Sequence, residues 1–189
     1  MATEAEYGPN LRSRFTPLIT GVGPVEAAVT LTAALAARHA QNELPDIVVS
    51  IGSAGSRSLA QGEIYQATHI AYRDMDASAI GFEKGKTPFL NLSVQIALPF
   101  RIEGIKTAAL STGASVVSGT AYDAIAEDMV DMETFAHVRA CNHFNIPLIA
   151  LRGISDGAEE LQHYGSWADA LPALDKHLAS AVDLALGQL

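Results

Sequence analysis

Two acidic residues of this sequence each stand where an apolar, strand-like stretch ends. Glu133 follows the stretch 129–132 and opens a helical pattern, and Asp156 comes shortly after the apolar run 147–151. Ligands of α/β sheets bind outside the carboxyl ends of the strands, so these two carboxylates could face one pocket. Each also has a simpler interpretation, because Glu133 suits the first turn of a helix and Asp156 suits an N-terminal helix cap.

Strand-like and helical patterns alternate along the whole chain and would have to position those two acids. The expected strands cover residues 16–20, 46–51, 63–72, 106–111, 115–118 and 147–151, and the expected helices cover 24–39, 133–144 and 166–186. Pro172 is expected to kink the last helix or to mark its true start. The alternation predicts an α/β fold with three layers, α/β/α, around a central mixed twisted sheet, built as one domain over residues 1–189.

The composition argues against several classes of function. The chain has 189 residues, a net charge of -9 and no cluster of Lys or Arg, which argues against a nucleic-acid partner. No apolar run reaches the roughly 20 residues of a membrane span, and the acidic start lacks the pattern of a signal peptide. Because Cys141 is the single cysteine, a reducing cytoplasm is the expected location. No spacing of His, Cys and carboxylates suggests a metal site, so neither a metal nor another cofactor is expected.

A glycine-rich stretch, Gly52–Gly55, follows the predicted strand 46–51. It either lets the backbone approach a ligand closely or is a plain turn. It matches neither the dinucleotide-binding fingerprint nor the P-loop. Further on, the loop 73–91 is long for a compact domain, which is typical of a functional loop or of one covered by a partner.

Seven stretches, read together and in this order, resemble the nucleoside phosphorylase/nucleosidase superfamily, and within it the 5'-methylthioadenosine/S-adenosylhomocysteine nucleosidases. They cover residues 20–28, 50–55, 72–77 with 81–85, 117–122, 130–133, 143–147 and 152–156. The last includes Arg-Gly-Ile-Ser-Asp, and the stretch 130–133 reads Val-Asp-Met-Glu. The resemblance implies a phosphorylase/hydrolase-like fold and cleavage of the N-glycosidic bond of a purine nucleoside, a small-molecule substrate.

The same resemblance gives the two acids distinct roles. Asp156 would donate a proton to N7 of the purine, and Ser155 would help to hold that carboxyl group. This role requires a raised pKa, so the carboxyl of Asp156 should be sheltered from water. Glu133, in its ionised form, would hydrogen-bond the ribose hydroxyls and favour an oxocarbenium-like transition state.

The resemblance also implies a set of substrate-binding residues. Met132 would pack beneath the sugar, and Tyr122 would stack on the base. Ser53, Ala54 and Gly55 would line the ribose and water side of the site.

Water activation in the family depends on a carboxylate in an N-terminal Ala-Met-Glu-Glu-Glu segment after the first strand. The segment Ala2–Glu6 fits that pattern, so Glu6 would be the catalytic residue that activates water, with Glu4 as a competitor. No strand precedes this segment in the sequence. Either the start is truncated or the sheet lacks the family's first strand.

Hydrolysis is favoured over phosphorolysis because the Gly-rich phosphate loop that phosphorylases carry has no counterpart in this sequence. Two alternatives stay open: a phosphate-dependent purine nucleoside phosphorylase, and a non-catalytic nucleoside-binding protein that has lost its acid and base. The loop Gly81–Phe89 corresponds to a family loop that reaches a neighbouring subunit's site. A homodimer is therefore expected.

Overall fold

Strands, helices and short 3₁₀ turns alternate along the chain in the computed structural model, which describes residues 1–157 and 159–189. The strands are β1 (Val48–Gly55), β2 (Ile64–Tyr72), β3 (Gln95–Ala97), β4 (Lys106–Thr112), β5 (Met129–Asp131) and β6 (Leu148–Asp156). The helices are α1 (Pro9–Arg12), α2 (Pro24–Ala40), α3 (Thr134–His143), α4 (Gly165–Ala168) and α5 (Leu171–Leu186). The 3₁₀ turns are Glu4–Glu6, Ser78–Ile80 and Gly119–Ala124.

The six strands form one mixed sheet in the order β3-β2-β4-β5-β1-β6. β1 and β6 run parallel in register from Val48 and Leu148, and β2 pairs with β6 in the antiparallel sense, so the sheet curls back on itself. Gly55 is paired with Val130 on one side and with Asp156 on the other. The ends of β1, β5 and β6 therefore meet at one place, which is where the sequence predicted the two acids to lie.

Helices cover both faces of the sheet, and an apolar core fills each interface. On one face α2 and α3 bury Leu31, Leu35 and Val138 against the strands. On the other face α5 buries Leu174 and Leu178. The predicted three-layer α/β/α fold with a central mixed sheet is confirmed, and the extent of one domain over residues 1–189 stays a prediction.

Several element boundaries differ from the predicted ones. The stretch 16–20 forms no strand, and instead the Thr20 and Gly21 N–H groups donate to the carbonyls of Met1 and Ala2. The strand predicted to end at Ile51 continues to Gly55, because its backbone pairs with β6 regardless of side-chain type. Residues 115–118 are not a strand, and β3 was not predicted.

Pro172 lies in the first turn of α5, and the separate helix α4 precedes it, so the predicted interruption of the last helix is confirmed. Among the described residues, β1 has no strand partner on the side away from β6 except at Gly55. No helix in the described ranges has the length and apolarity needed to cross a membrane.

Candidate active site

A cavity of about 530 Å³ opens where the ends of β1, β5 and β6 meet. Its volume lies within the range of roughly 300–1,000 Å³ that is usual for small-molecule sites. The predicted site residues that line it are Glu6, Ser53, Ala54, Gly55, Met132, Glu133, Ser155 and Asp156. The structure thus brings together all three carboxylates to which the sequence gave catalytic roles.

Asp156 is the last residue of β6 and is only partly exposed. Burial raises the pKa of its carboxyl group above the ordinary value, although the hydroxyl of Ser155 donates a hydrogen bond to Oδ1 and acts in the opposite direction. The Ser155 hydroxyl also reaches the carbonyl of Ala54, at 3.3 Å. The side chain is therefore held in one place and is predisposed to carry a proton, as a general acid must be.

Glu133 occupies the N-cap position of α3, but its side chain makes no capping hydrogen bond there and its carboxylate is turned towards the start of α2. Its Oε1 accepts a hydrogen bond from the backbone N–H of Gly23 at 2.9 Å. Gly23 has a φ of 92°, a conformation that favours glycine, and this aims the N–H at the carboxylate. Burial, together with the nearby charge of Asp131, raises the pKa of Glu133 to about 7. The free protein therefore holds Glu133 partly protonated at neutral pH, where the sequence suggested an ionised group.

A buried ion pair lies directly behind Glu133. Arg152 places Nη2 at 3.0 Å from Oδ2 of Asp131, and both side chains are almost fully buried. Thr112 donates to Oδ1 of Asp131 at 2.6 Å, and Thr134 donates through both its hydroxyl and its backbone N–H. Burial alone would raise the pKa of Asp131, but Arg152 and the hydroxyl donors more than offset this and lower it. Asp131 is thus a fixed anion beside the site.

The raised pKa of Glu133 predicts how stability depends on pH. Between the unfolded value of 4.5 and the folded value of about 7, the folded protein binds a proton that the unfolded chain has released, so stability falls as pH rises through this window. Glu133→Gln removes this loss. We compare the free energy of unfolding of the variant with that of the wild type at each pH. This difference should be more favourable to the variant at pH 8 than at pH 4, by on the order of 2–3 kcal/mol.

Urea denaturation at both pH values measures this difference. Glu4→Gln is the matched control, because Glu4 is exposed and pairs with Arg12 on the surface. The same stability difference between Glu133→Gln and wild type at pH 4 and pH 8 would contradict the assignment.

Glu6 reaches the cavity from the 3₁₀ turn Glu4–Glu6, which the hydroxyl of Thr3 caps. Its Oε1 accepts two hydrogen bonds from Ser53, one from the backbone N–H and one from Oγ, each at 2.7 Å. Its Oε2 is buried and has no donor among the described residues. Glu4, the competitor, points outward to Arg12 at 2.8 Å, so only Glu6 is placed to act in the cavity.

Tyr122 is the one predicted site residue that the structure leaves outside the cavity lining. Its ring is buried between Val117 and Val130, because the 3₁₀ turn Gly119–Ala124 directs it inward. Its hydroxyl lies so close to Gly55 that a Cβ there would be 2.4 Å away. Burial, with the charge of Asp156, raises the pKa of Tyr122 to about 12. In this conformation Tyr122 supports the floor of the site and does not offer a face to a base.

The segment before α5 contributes cavity residues that the sequence had not indicated. Leu161, Gln162, His163, Tyr164 and Trp167 line one wall of the cavity. Among them, Trp167 donates its indole N–H to Oγ of Ser53 at 2.9 Å. The only signal in the sequence was that Trp167 is the chain's single tryptophan. That signal does not reveal a contact with Ser53, which lies far away in the sequence.

Two arginines near the cavity donate hydrogen bonds to protein groups, and Nε of Arg73 is buried with no acceptor among the described residues. Arg152 is paired with Asp131, and Arg73 donates to the carbonyls of Ser111 and Ser115, both at 2.7 Å, and to that of Asp131 at 2.9 Å. Within the described ranges, no three His, Cys, Asp or Glu side chains are grouped so that they could hold a metal ion. Four carboxyl groups line the cavity, and because Arg152 holds Asp131, those of Glu6, Glu133 and Asp156 are the ones left to act there.

The chain is similar to known proteins in sequence and in fold. The family model described as the phosphorylase superfamily matches residues 16–186. A 5'-methylthioadenosine/S-adenosylhomocysteine nucleosidase of Haemophilus influenzae is 32% identical, and the match covers 75% of this chain and 68% of that protein.

Solved structures share the fold. A nucleosidase of the same name from Colwellia psychrerythraea, in complex with adenine, is 25% identical with a TM-score of 0.74, covering 90% of this chain and 76% of that chain. Futalosine hydrolase of Helicobacter pylori has a TM-score of 0.82 at 20% identity, covering 100% of this chain and 95% of that chain, and shows similarity of fold alone.

Proposed function

Because this chain belongs to the phosphorylase superfamily, we propose that it hydrolyses the N-glycosidic bond of a purine nucleoside and releases the base. The proposed substrate class is a 5'-modified adenosine such as 5'-methylthioadenosine or S-adenosylhomocysteine. These two nucleosides appear in the name of the similar Haemophilus influenzae protein. One observation carries the proposal: Glu6, Glu133 and Asp156 converge on a single cavity of suitable size.

Asp156 is the proposed general acid. As the glycosidic bond breaks, negative charge develops on the leaving purine, and a proton delivered to N7 neutralises it. The raised pKa of Asp156 keeps this proton available, and the hydroxyl of Ser155 holds the carboxyl in position. Such proton transfer is typically worth about 10²–10⁴-fold in rate.

Glu133 is the proposed sugar clamp. The transition state of glycoside cleavage is oxocarbenium-like, so an anion beside the ribose stabilises the developing positive charge. Gly23 fixes Oε1 of Glu133, and Met132, the residue before it, lines the cavity where the sugar would pack. The sugar's positive charge would favour the ionised form of Glu133, which the free protein holds only in part.

Glu6 is the proposed base for water. Its Oε1 is occupied by Ser53, and Oε2 is free of protein donors among the described residues, so one oxygen is left to take a proton. Ser53, Ala54 and Gly55 form the adjoining wall on the ribose side. Phosphorolysis is less well supported, because Arg152 is paired with Asp131 and both Nη atoms of Arg73 donate to carbonyl groups.

The experiment is an assay of purified protein on a panel of purine nucleosides, with and without phosphate. Release of adenine from 5'-methylthioadenosine without phosphate is the expected result. Strict dependence on phosphate would establish the phosphorylase instead, and binding without turnover would establish a nucleoside-binding protein. A cytoplasmic role in nucleoside metabolism and methionine salvage is part of the proposal. If neither sulfur-containing nucleoside is a substrate, the role in methionine salvage is removed.

A homodimer is also part of the proposal. Val22, Val25 and Val29 form an exposed apolar stripe at the start of α2, and Val22 also lines the cavity. In the loop Gly81–Phe89, Phe89 is 92% exposed. Apolar surface of this kind beside a site marks an interaction surface, and we expect this one to pack against a second copy of the chain. Light scattering should give twice the mass of one chain, and a monomer would contradict it.

A further inference from the structure

A short chain of hydrogen bonds links Trp167 to Glu6 through Ser53. The indole Nε1 of Trp167 lies 2.9 Å from Oγ of Ser53, and this Oγ lies 2.7 Å from Oε1 of Glu6. The three residues come from α4, β1 and the first 3₁₀ turn, so the contact ties together three separate parts of the site wall. Nothing in the reaction as described above uses Trp167.

The chemistry of the three groups allows only one direction of donation along this series of hydrogen bonds. An indole N–H can donate but not accept, and an ionised carboxylate can accept but not donate. Oγ of Ser53 must therefore accept from Trp167 and point its own hydrogen at Glu6. The indole thus fixes a hydroxyl hydrogen that would otherwise be free to rotate.

This fixed donor leaves the two oxygens of Glu6 unequal. Oε1 accepts from both the backbone N–H and the hydroxyl of Ser53, while Oε2 has no donor in the part of the chain that the structure describes. The carboxylate also lies against Gly52, where a Cβ would be 3.2 Å from Oε1 and 3.4 Å from Oε2. The group is held by donors at one oxygen and by packing along Gly52, so the other oxygen has a defined place.

We propose that Trp167 is a positioning residue whose indole N–H, acting through the hydroxyl of Ser53, holds Glu6 with Oε2 as the oxygen that takes the proton from water. This inference rests on the proposed function, since it takes Glu6 as the base. A wall of the cavity could be formed by any aromatic ring. The indole nitrogen is what distinguishes Trp167, because phenylalanine would keep most of the wall and lose the donor.

A double-mutant cycle with Trp167→Phe and Ser53→Ala tests the pathway through Ser53. Losing one hydrogen bond that acts fully in the transition state corresponds to about a tenfold fall in rate. We expect each single variant to lower kcat by about tenfold on 5'-methylthioadenosine. KM should change by less than about twofold, because the proton is transferred only in the transition state.

The distinctive expectation concerns the double variant. If Trp167 acts through Ser53, then Trp167→Phe should have little further effect on kcat once Ser53 is alanine. Two effects that multiply independently would overturn the proposal, and so would a Trp167→Phe variant that changes KM alone. Unfolding temperatures of all three variants are measured alongside, so that a loss of fold is not read as a loss of positioning.

A second measurement does not depend on activity. Trp167 is the only tryptophan, so the indole band of the ultraviolet resonance Raman spectrum that responds to N–H hydrogen bonding reports this contact alone. The band should indicate a bonded N–H in the wild type and a weaker bond in Ser53→Ala. An unbonded indole in the wild type overturns the positioning role, whereas a bonded indole in a protein that hydrolyses no nucleoside leaves the contact standing and removes the proposed function.

Discussion

Asp156→Asn is expected to lower turnover by about 10²–10⁴-fold while leaving nucleoside binding largely intact. Asparagine has nearly the same shape and can still accept the hydrogen bond from Ser155, but it has no acidic proton to give. The purine would then leave as an anion without neutralisation. Because the raised pKa of Asp156 governs the protonated fraction, wild-type kcat should fall as pH rises past that pKa, and the variant should lack this fall.

Single-turnover release of adenine and calorimetric binding of 5'-methylthioadenosine separate the two effects. Asp123→Asn is the matched control: Asp123 is exposed, pairs with Arg57 on the surface and lies outside the cavity lining. The control should behave as the wild type in both measurements. Turnover retained by Asp156→Asn would remove Asp156 from its role as proton donor.

Arg152→Met is expected to cost about 3–5 kcal/mol of stability, because it leaves the charge of Asp131 buried without its partner. It also removes donors to the Ser50 hydroxyl, at 2.9 Å, and to the Thr134 hydroxyl. The lowered pKa of Asp131 depends on Arg152, so the stabilisation is present above pH 4 or so and is lost as pH falls through the lowered value. The deficit of the variant should therefore shrink in acid.

Urea denaturation from pH 8 to below pH 4 measures this stability deficit and its decrease in acid. Arg12→Met is the matched control, since the pair of Arg12 with Glu4 is exposed, and a surface pair contributes at most about 1 kcal/mol. If Arg152→Met and Arg12→Met lowered the free energy of unfolding equally, the buried pair of Arg152 and Asp131 would not be stabilising the structure beneath the site. Asp131→Asn combined with Arg152→Met should recover part of the loss, because no charge then remains buried.

The sequence predicted those parts of the site that side-chain pattern encodes. Apolar residues at helical spacing predicted the helices α2 and α3, although Val25 and Val29 of α2 are exposed. Glu133 and Asp156 stand where apolar stretches end, so their position at one edge of the sheet followed from strand geometry. The assignment of roles needed more than pattern. It came from the resemblance to a family, since a carboxylate after a strand has several ordinary explanations.

Other features could not be predicted, because they depend on contacts between distant segments. The extension of β1 to Gly55 rests on backbone pairing with β6, which leaves no mark on side-chain pattern. The inward turn of Tyr122 is set by a 3₁₀ turn, and the raised pKa of Glu133 depends on burial and on Asp131. The contact of Trp167 with Ser53 forms only once the chain has folded.

The most direct test of the central claim is mass spectrometry of the sugar product formed from 5'-methylthioadenosine in a buffer that contains phosphate. If a protonated Asp156, Glu133 and a water held by Glu6 act in one cavity, the product is the free 5-methylthioribose together with adenine. A sugar 1-phosphate in place of the free sugar, or no product at all, would contradict the account.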